Sequence, residues 1–107
     1  MPAVALMWSN QDKASIASEI AVLQQQGTDV NRVLAHVAQI AIDGTKVMQQ
    51  NIHSSVNGKN IHAICPFGNV GAYYAYDSGR TALYLLGCYA THLNHYGAAA
   101  ARLAHVP

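Results

Sequence analysis

Six histidines in 107 residues are the densest source of chemistry in this chain. His92 and His95 stand at i, i+3, a spacing at which two side chains of a helix can share one metal ion. His53 and His62 flank Asn57-Gly58, and a two-residue hairpin turn there would make them cross-strand neighbours. These four imidazoles, with Cys65 beside the second pair, form a candidate zinc or copper site. No HExxH motif accompanies them, and no carboxylate stands near His92 and His95 on the same stretch. Scattered histidines also simply supply polarity where charge is scarce. Haem held by His or Tyr is the other cofactor reading, without a CxxCH to attach it. No cofactor is therefore expected, and zinc is the alternative.

The six tyrosines fall in the second half, at 73, 74, 76, 84, 89 and 96. If the last third is helical, Tyr89, His92 and Tyr96 share one stripe with the small residues Gly97 and Ala101 nearby. Tyrosine joins apolar area to a polar tip, which suits an interface or a planar ligand. These five residues are the candidate interface. Nucleophile motifs are missing: there is no GxSxG, no phosphate-binding glycine loop and no GxGxxG. No catalytic residue is assigned, and the chain leans away from being an enzyme.

Only 10% of the residues are charged, against a usual ~25%. So little charge suggests that part of the surface is covered, most simply by a second copy of the chain. A monomer wetted by Gln, Asn, Ser and His is the alternative. The net charge of +1 comes from singly spread basic residues, so no field points to nucleic acid. Two cysteines make no disulfide framework. No basic, apolar leader opens the chain, so the cytoplasm is the default location, with leaderless export left open. Thr81 to Ala101 is an uncharged stretch bounded by Arg80 and Arg102, long enough for a membrane span. Thr91, His92, Asn94 and His95 at its centre argue against one.

The elements that would carry these residues are read from periodicity. Ser9 is a candidate N-cap, and a first helix is expected from about Asn10 to Gln26, ended by Gly27. Val30, Leu34, Val37, Ala41, Gly44 and Met48 recur at helical intervals opposite a polar stripe, which predicts a second helix over 29–50. Asn57-Gly58 predicts a type I′ hairpin pairing Val56 with Lys59, Ser54 with Ile61 and His53 with His62. Val70–Tyr76 reads as a third strand or an ordered loop. The stripe Leu85, Tyr89, His92, Tyr96, Ala99 and Leu103 predicts a long, largely buried helix over about 80–105. The expected fold is one mainly α domain, an antiparallel helical hairpin packed on a long C-terminal helix with a small β-hairpin between them. It becomes α+β if 51–76 is all strand.

Two partial likenesses rest on a few residues each. The start MPAVALMW, strand-like and followed by a helix, resembles the tautomerase superfamily, whose N-terminal proline acts as a base, the place Pro2 would take. That likeness covers about the first 26 residues, with Pro2 its only chemical motif, and the helical period over 29–50 stands where that fold needs a strand. Tyr73 and Asp77 have the spacing of the export signal of type VII secretion substrates, but Gln25-Gln26-Gly27-Thr28 replaces their WxG turn. The expected function is a small non-enzymatic protein–protein interaction module that self-associates through an apolar helix face. The alternative is a small-molecule, haem or metal-binding protein with a His/Tyr-lined site.

Overall fold

Apolar residues on alternating sides of extended chain, rather than on one helical stripe, organise the second half of the molecule. The computed structural model describes residues 3–67, 70–90 and 96–107. The elements are β1 (Ala5–Met7), α1 (Lys13–Gln25), α2 (Val30–Asp43), a 3-10 turn (Gly44–Lys46), β2 (Ile52–Val56), β3 (Lys59–Phe67), β4 (Val70–Tyr76), β5 (Ala82–Tyr89) and α3 (Tyr96–Leu103). The strands form one sheet in the order β1-β5-β4-β3-β2. β1 runs parallel to β5, and every other pair is antiparallel.

Both faces of this sheet are covered. α2 is capped by the Asp29 carboxylate, which accepts from Arg32 N, and it buries Val30, Val33, Val37, Ile40 and Ala41. With Ile16 and Leu23 of α1 these pack on Ile64, Ala72, Tyr74, Leu83, Leu85 and Cys88. On the opposite face Ile61, Tyr73, Ala75, Leu86 and Tyr89 lie under Ala99 and Leu103 of α3 and the following Val106. Burying a side chain such as Leu103 contributes about 1.5–3 kcal/mol, so three apolar anchors suffice to dock this short helix.

The protein is thus an α+β sandwich, not the mainly α helical bundle expected from periodicity. The expected helix over 80–105 is β5 followed by α3. The reason lies in Leu83, Leu85, Leu86, Cys88 and Tyr89, which are all buried because β5 is internal to the sheet along its first half and covered on both faces. A segment buried all round shows no polar stripe, so its period does not separate helix from strand. The expected helix over 29–50 also stops early. Gly44 adopts φ 54°, a left-handed conformation that ends the α-helix at Asp43. Ser9 does not cap α1 through its side chain. Its hydroxyl donates to the His105 carbonyl instead.

β1 reaches along β5 only as far as Tyr84. Beyond it, that edge of β5 is closed by two side chains from opposite faces of the sheet. Glu19 of α1 accepts a hydrogen bond from Cys88 N at 2.9 Å. Arg102 of α3 donates to Leu86 O at 2.7 Å and pairs with Glu19 at 3.2 Å. Gly87 makes room for them: a Cβ there would lie 2.5 Å from Glu19 Oε1 and 2.6 Å from Arg102 Nη1. The ion pair supplies the acceptor and donor that an adjoining strand would have offered.

Candidate functional site

His62 lies on the α1/α2 face of the sheet and is buried. Its ring stacks on Tyr74 at 5.0 Å and meets Tyr76 edge-on at 5.2 Å. Nδ1 sits 2.7 Å from the Gln50 carbonyl, which makes Nδ1 the protonated nitrogen of the neutral ring. Burial pushes its pKa below the ordinary 6.5, and the bond to Gln50 offsets this only in part. The unfolded chain therefore takes up this proton first as pH falls. The stability tied to neutral His62 is whole above pH 6.5 and is lost as pH drops through the folded-state value. The melting temperature of the wild type is expected to fall as pH is lowered from 6.5 toward about 5, and His62→Gln should flatten that slope. A parallel slope in the variant would show that His62 stays solvated.

His53 does not join His62. The β2–β3 register pairs Ile52 with His62 and Ser54 with Ile61, leaving His53 in a bulge. A one-residue shift moves a side chain to the other face. His53 accordingly packs against Tyr73 and Tyr96 on the α3 side, at ring distances of 5.8 and 5.3 Å. His92 and His95, the other half of the expected metal set, lie outside the described residues, as does Pro2. Among the described residues no three His, Cys, Asp or Glu side chains gather as metal ligands.

The expected interface residues do not share one helix stripe: Tyr89 is in β5, while Tyr96, Gly97 and Ala101 are in α3, and Tyr89 and Tyr96 both pack against Tyr73. Tyr89 is buried under α3, with its hydroxyl donating to Ile64 O at 3.0 Å. Burial pushes its phenol pKa far up. Tyr96 opens α3 and shares a 2.7 Å hydrogen bond with Ser54. Gly97 and Ala101 are exposed, and nothing lies within 4 Å of where a Gly97 Cβ would stand. Close helix packing therefore does not explain Gly97. Cys88 is no nucleophile, since burial and the neighbouring Glu19 push its thiol up to about 12.

What remains conspicuous is the outer edge of β1. No protein-family model, curated protein or solved structure matches this chain. The edge is therefore read from its own geometry. Leu6, Met7 and Trp8 are 37%, 44% and 41% exposed, and no charged residue occurs before Asp12. Ala5 N donates toward β5, to Thr81 O. Backbone groups alternate along a strand, so the N–H of Leu6 points outward from the sheet. Ile42, 60% exposed, is close by, because Val4 N donates to Ala41 O.

A groove flanks β1 on each face. On the α1/α2 side a mostly apolar one of about 190 Å³ is lined by Trp8, Ile16, Ala17, Ile20, Leu34 and Leu85, with Lys13. On the α3 side one of about 420 Å³ is lined by Met7, Trp8, Ser9, Tyr84 and His105, among others. The second is braced by His105 Nδ1, 2.8 Å from Asp12 Oδ2. Sequence reasoning reads MPAVALMW as strand-like but assigns it no interface, because three strand residues are too few to show a period. The one available signal was the uncharged run from Ala3 to Trp8.

The other sheet edges are guarded. β2 carries the His53 bulge, a common device against strand addition. The distal part of β5 carries the Glu19–Arg102 pair. No helix among the described residues is long and apolar enough to cross a membrane.

Proposed function

We propose that this protein is a non-enzymatic interaction module whose β1 edge pairs with the β1 edge of a second copy. The observation that carries this reading is the run Leu6-Met7-Trp8, exposed between two grooves on a strand edge that α2 covers only at Val4, whose outward N–H donates to Ala41 O. Strand addition draws affinity from main-chain hydrogen bonds and specificity from pockets that take alternate side chains. An antiparallel β1–β1 pair about a twofold axis is self-complementary and extends the sheet across the dimer. The strand segment from Ala3 to Trp8 carries no charged side chain, which favours an equally uncharged partner strand, such as a second copy supplies. Three-residue strands alone bury too little for a stable dimer, which needs about 1,200–2,000 Å² in total. Ile42 and the Trp8 groove provide adjoining apolar area. The helix face first expected to mediate assembly is replaced here by a strand edge.

Sedimentation velocity across a concentration series tests the proposal. The wild type is expected to form a particle of twice the 11.4 kDa chain mass. Leu6→Lys would set like charges against each other at the twofold axis, and should yield a monomer with an unchanged circular dichroism spectrum. Gly97→Leu should remain dimeric. A wild type that stays monomeric, or a dimer untouched by Leu6→Lys, would overturn the assignment.

A further inference from the structure

Ile42 is the most exposed large apolar side chain among the described residues, at 60%. It follows Ala41, whose carbonyl accepts from Val4 N at 2.9 Å. Ile42 thus flanks the start of β1. The groove lined by Trp8, Ile16, Ile20, Leu34 and Leu85 flanks its end. Both lie on the side of the sheet that α1 and α2 cover.

Antiparallel strands set the start of one beside the end of the other, and a twofold axis perpendicular to the sheet keeps like faces on one side. From Val4 to Trp8 the strand rises about 13 Å, and a paired neighbour lies about 4.8 Å away. In a β1–β1 pair, α2 of one copy therefore ends beside Trp8 of the other. Ala41 closes the strand edge at Val4, so main-chain pairing stops there and side-chain contact takes over.

The charges beside these two features point the same way. Lys13 lines the groove and is the first residue of α1. Asp43 follows Ile42 and is the last residue of α2. A cation at a helix N-terminus and an anion at a helix C-terminus each oppose the helix dipole. Neither side chain has an ion-pair partner among the described residues. Asp43 accepts a hydrogen bond from the Gln39 amide at 3.2 Å, which leaves its charge unbalanced. Within one chain the described residues give neither charge a counterpart, and each is the complement of the other.

We infer that Ile42 of the second copy seats in the Trp8 groove, with Asp43 of the second copy on Lys13, and that the contact recurs across the twofold axis. This rests on the β1–β1 pairing and adds the apolar area that three-residue strands lack. The charge pair at the rim fixes register more than affinity, and the seated Ile42 supplies affinity.

The test is the dimer dissociation constant, read by sedimentation velocity at low salt. Ile42→Ala should raise it about tenfold or more, since each dimer loses two buried side chains. The circular dichroism spectrum should not change, because Ile42 is exposed in a single chain. Lys13→Glu and Asp43→Lys should each raise the constant about fivefold or more. The double variant should return it to within about threefold of the wild type, because the pair is then reversed intact. Neither single reversal should destabilise the chain itself, since each puts the favoured sign at its helix end. The seating fails if Ile42→Ala dimerises as the wild type does, or if the double variant is no tighter than the single ones. A wild type that stays monomeric overturns the β1 pairing and this contact together. A dimer that Leu6→Lys abolishes, but that ignores Ile42→Ala and the charge reversal, overturns this contact alone.

Discussion

Arg102→Ala is expected to lower stability by about 3–5 kcal/mol, read as the urea midpoint at constant slope. For a domain whose total stability is of order 5–15 kcal/mol, that is enough to unfold part of the population near 37 °C. The side chains of Arg102 and Glu19 are each only 11% exposed, so removing the guanidinium leaves a carboxylate poorly solvated. It also strips the donor from Leu86 O. An ordinary buried ion pair can be replaced by two apolar residues at little cost. Here Glu19→Leu with Arg102→Met should not recover the wild-type midpoint, because Leu86 O and Cys88 N would both lose their partners. An unpaired backbone group buried in this way costs about 1–3 kcal/mol. Full recovery by the double variant would show that the pair matters only as a pair, not as a cap on the edge of β5. The capped reading adds a second expectation: the Arg102→Ala protein should aggregate more readily, since an open strand edge is a template for another chain.

Gly71→Ala is expected to cost about 2–5 kcal/mol, although it adds a single methyl group. A Cβ at position 71 would collide with the Ile64 carbonyl oxygen and lie 2.5 Å from Cζ and the hydroxyl of Tyr89. The Tyr89 hydroxyl donates to that same carbonyl. The methyl group thus strikes both ends of one buried hydrogen bond, between β3 and β5, where they flank β4. Relief requires Tyr89 to swing away, and Tyr89 is packed against Tyr73 at a ring distance of 4.7 Å. Thermal unfolding and the near-ultraviolet tyrosine dichroism should both change. In a double-mutant cycle with Tyr89→Phe the two costs should be less than additive, since each removes the same bond. Strict additivity, or a Gly71→Ala cost below about 1 kcal/mol, would place the Tyr89 ring elsewhere.

The two variants act on features with very different visibility in the sequence. Gly71 stands in a run of Tyr, Ala and Gly that reads equally well as strand or loop. Nothing local says that the phenol of Tyr89 crosses it. Glu19 and Arg102 are 83 positions apart, and the Asp12–His105 contact spans 93. Such meetings depend on which faces of the sheet the helices choose, and no periodicity carries that choice.

Local chemistry was legible where a few neighbouring residues decide the conformation. The stripe from Val30 to Ala41, with Asp29 before it, was readable as a helix because its partners are one turn away. Asn57-Gly58 was readable as a turn, since both residues accept positive φ, and they do so at 52° and 81°. That turn sets Val56 against Lys59 and Ser54 against Ile61, but it did not foretell the bulge that parts His53 from His62. The low charge of the chain, which motivates the self-association proposal, was equally plain. What only the tertiary structure decided was the conformation of 82–89 and the grouping of side chains around it. A segment apolar on every side takes its form from whatever covers it. Here β4 and β1 lie beside it, α1 and α2 lie on one face and α3 on the other. Helix and strand were close alternatives in the local code, and long-range burial chose between them.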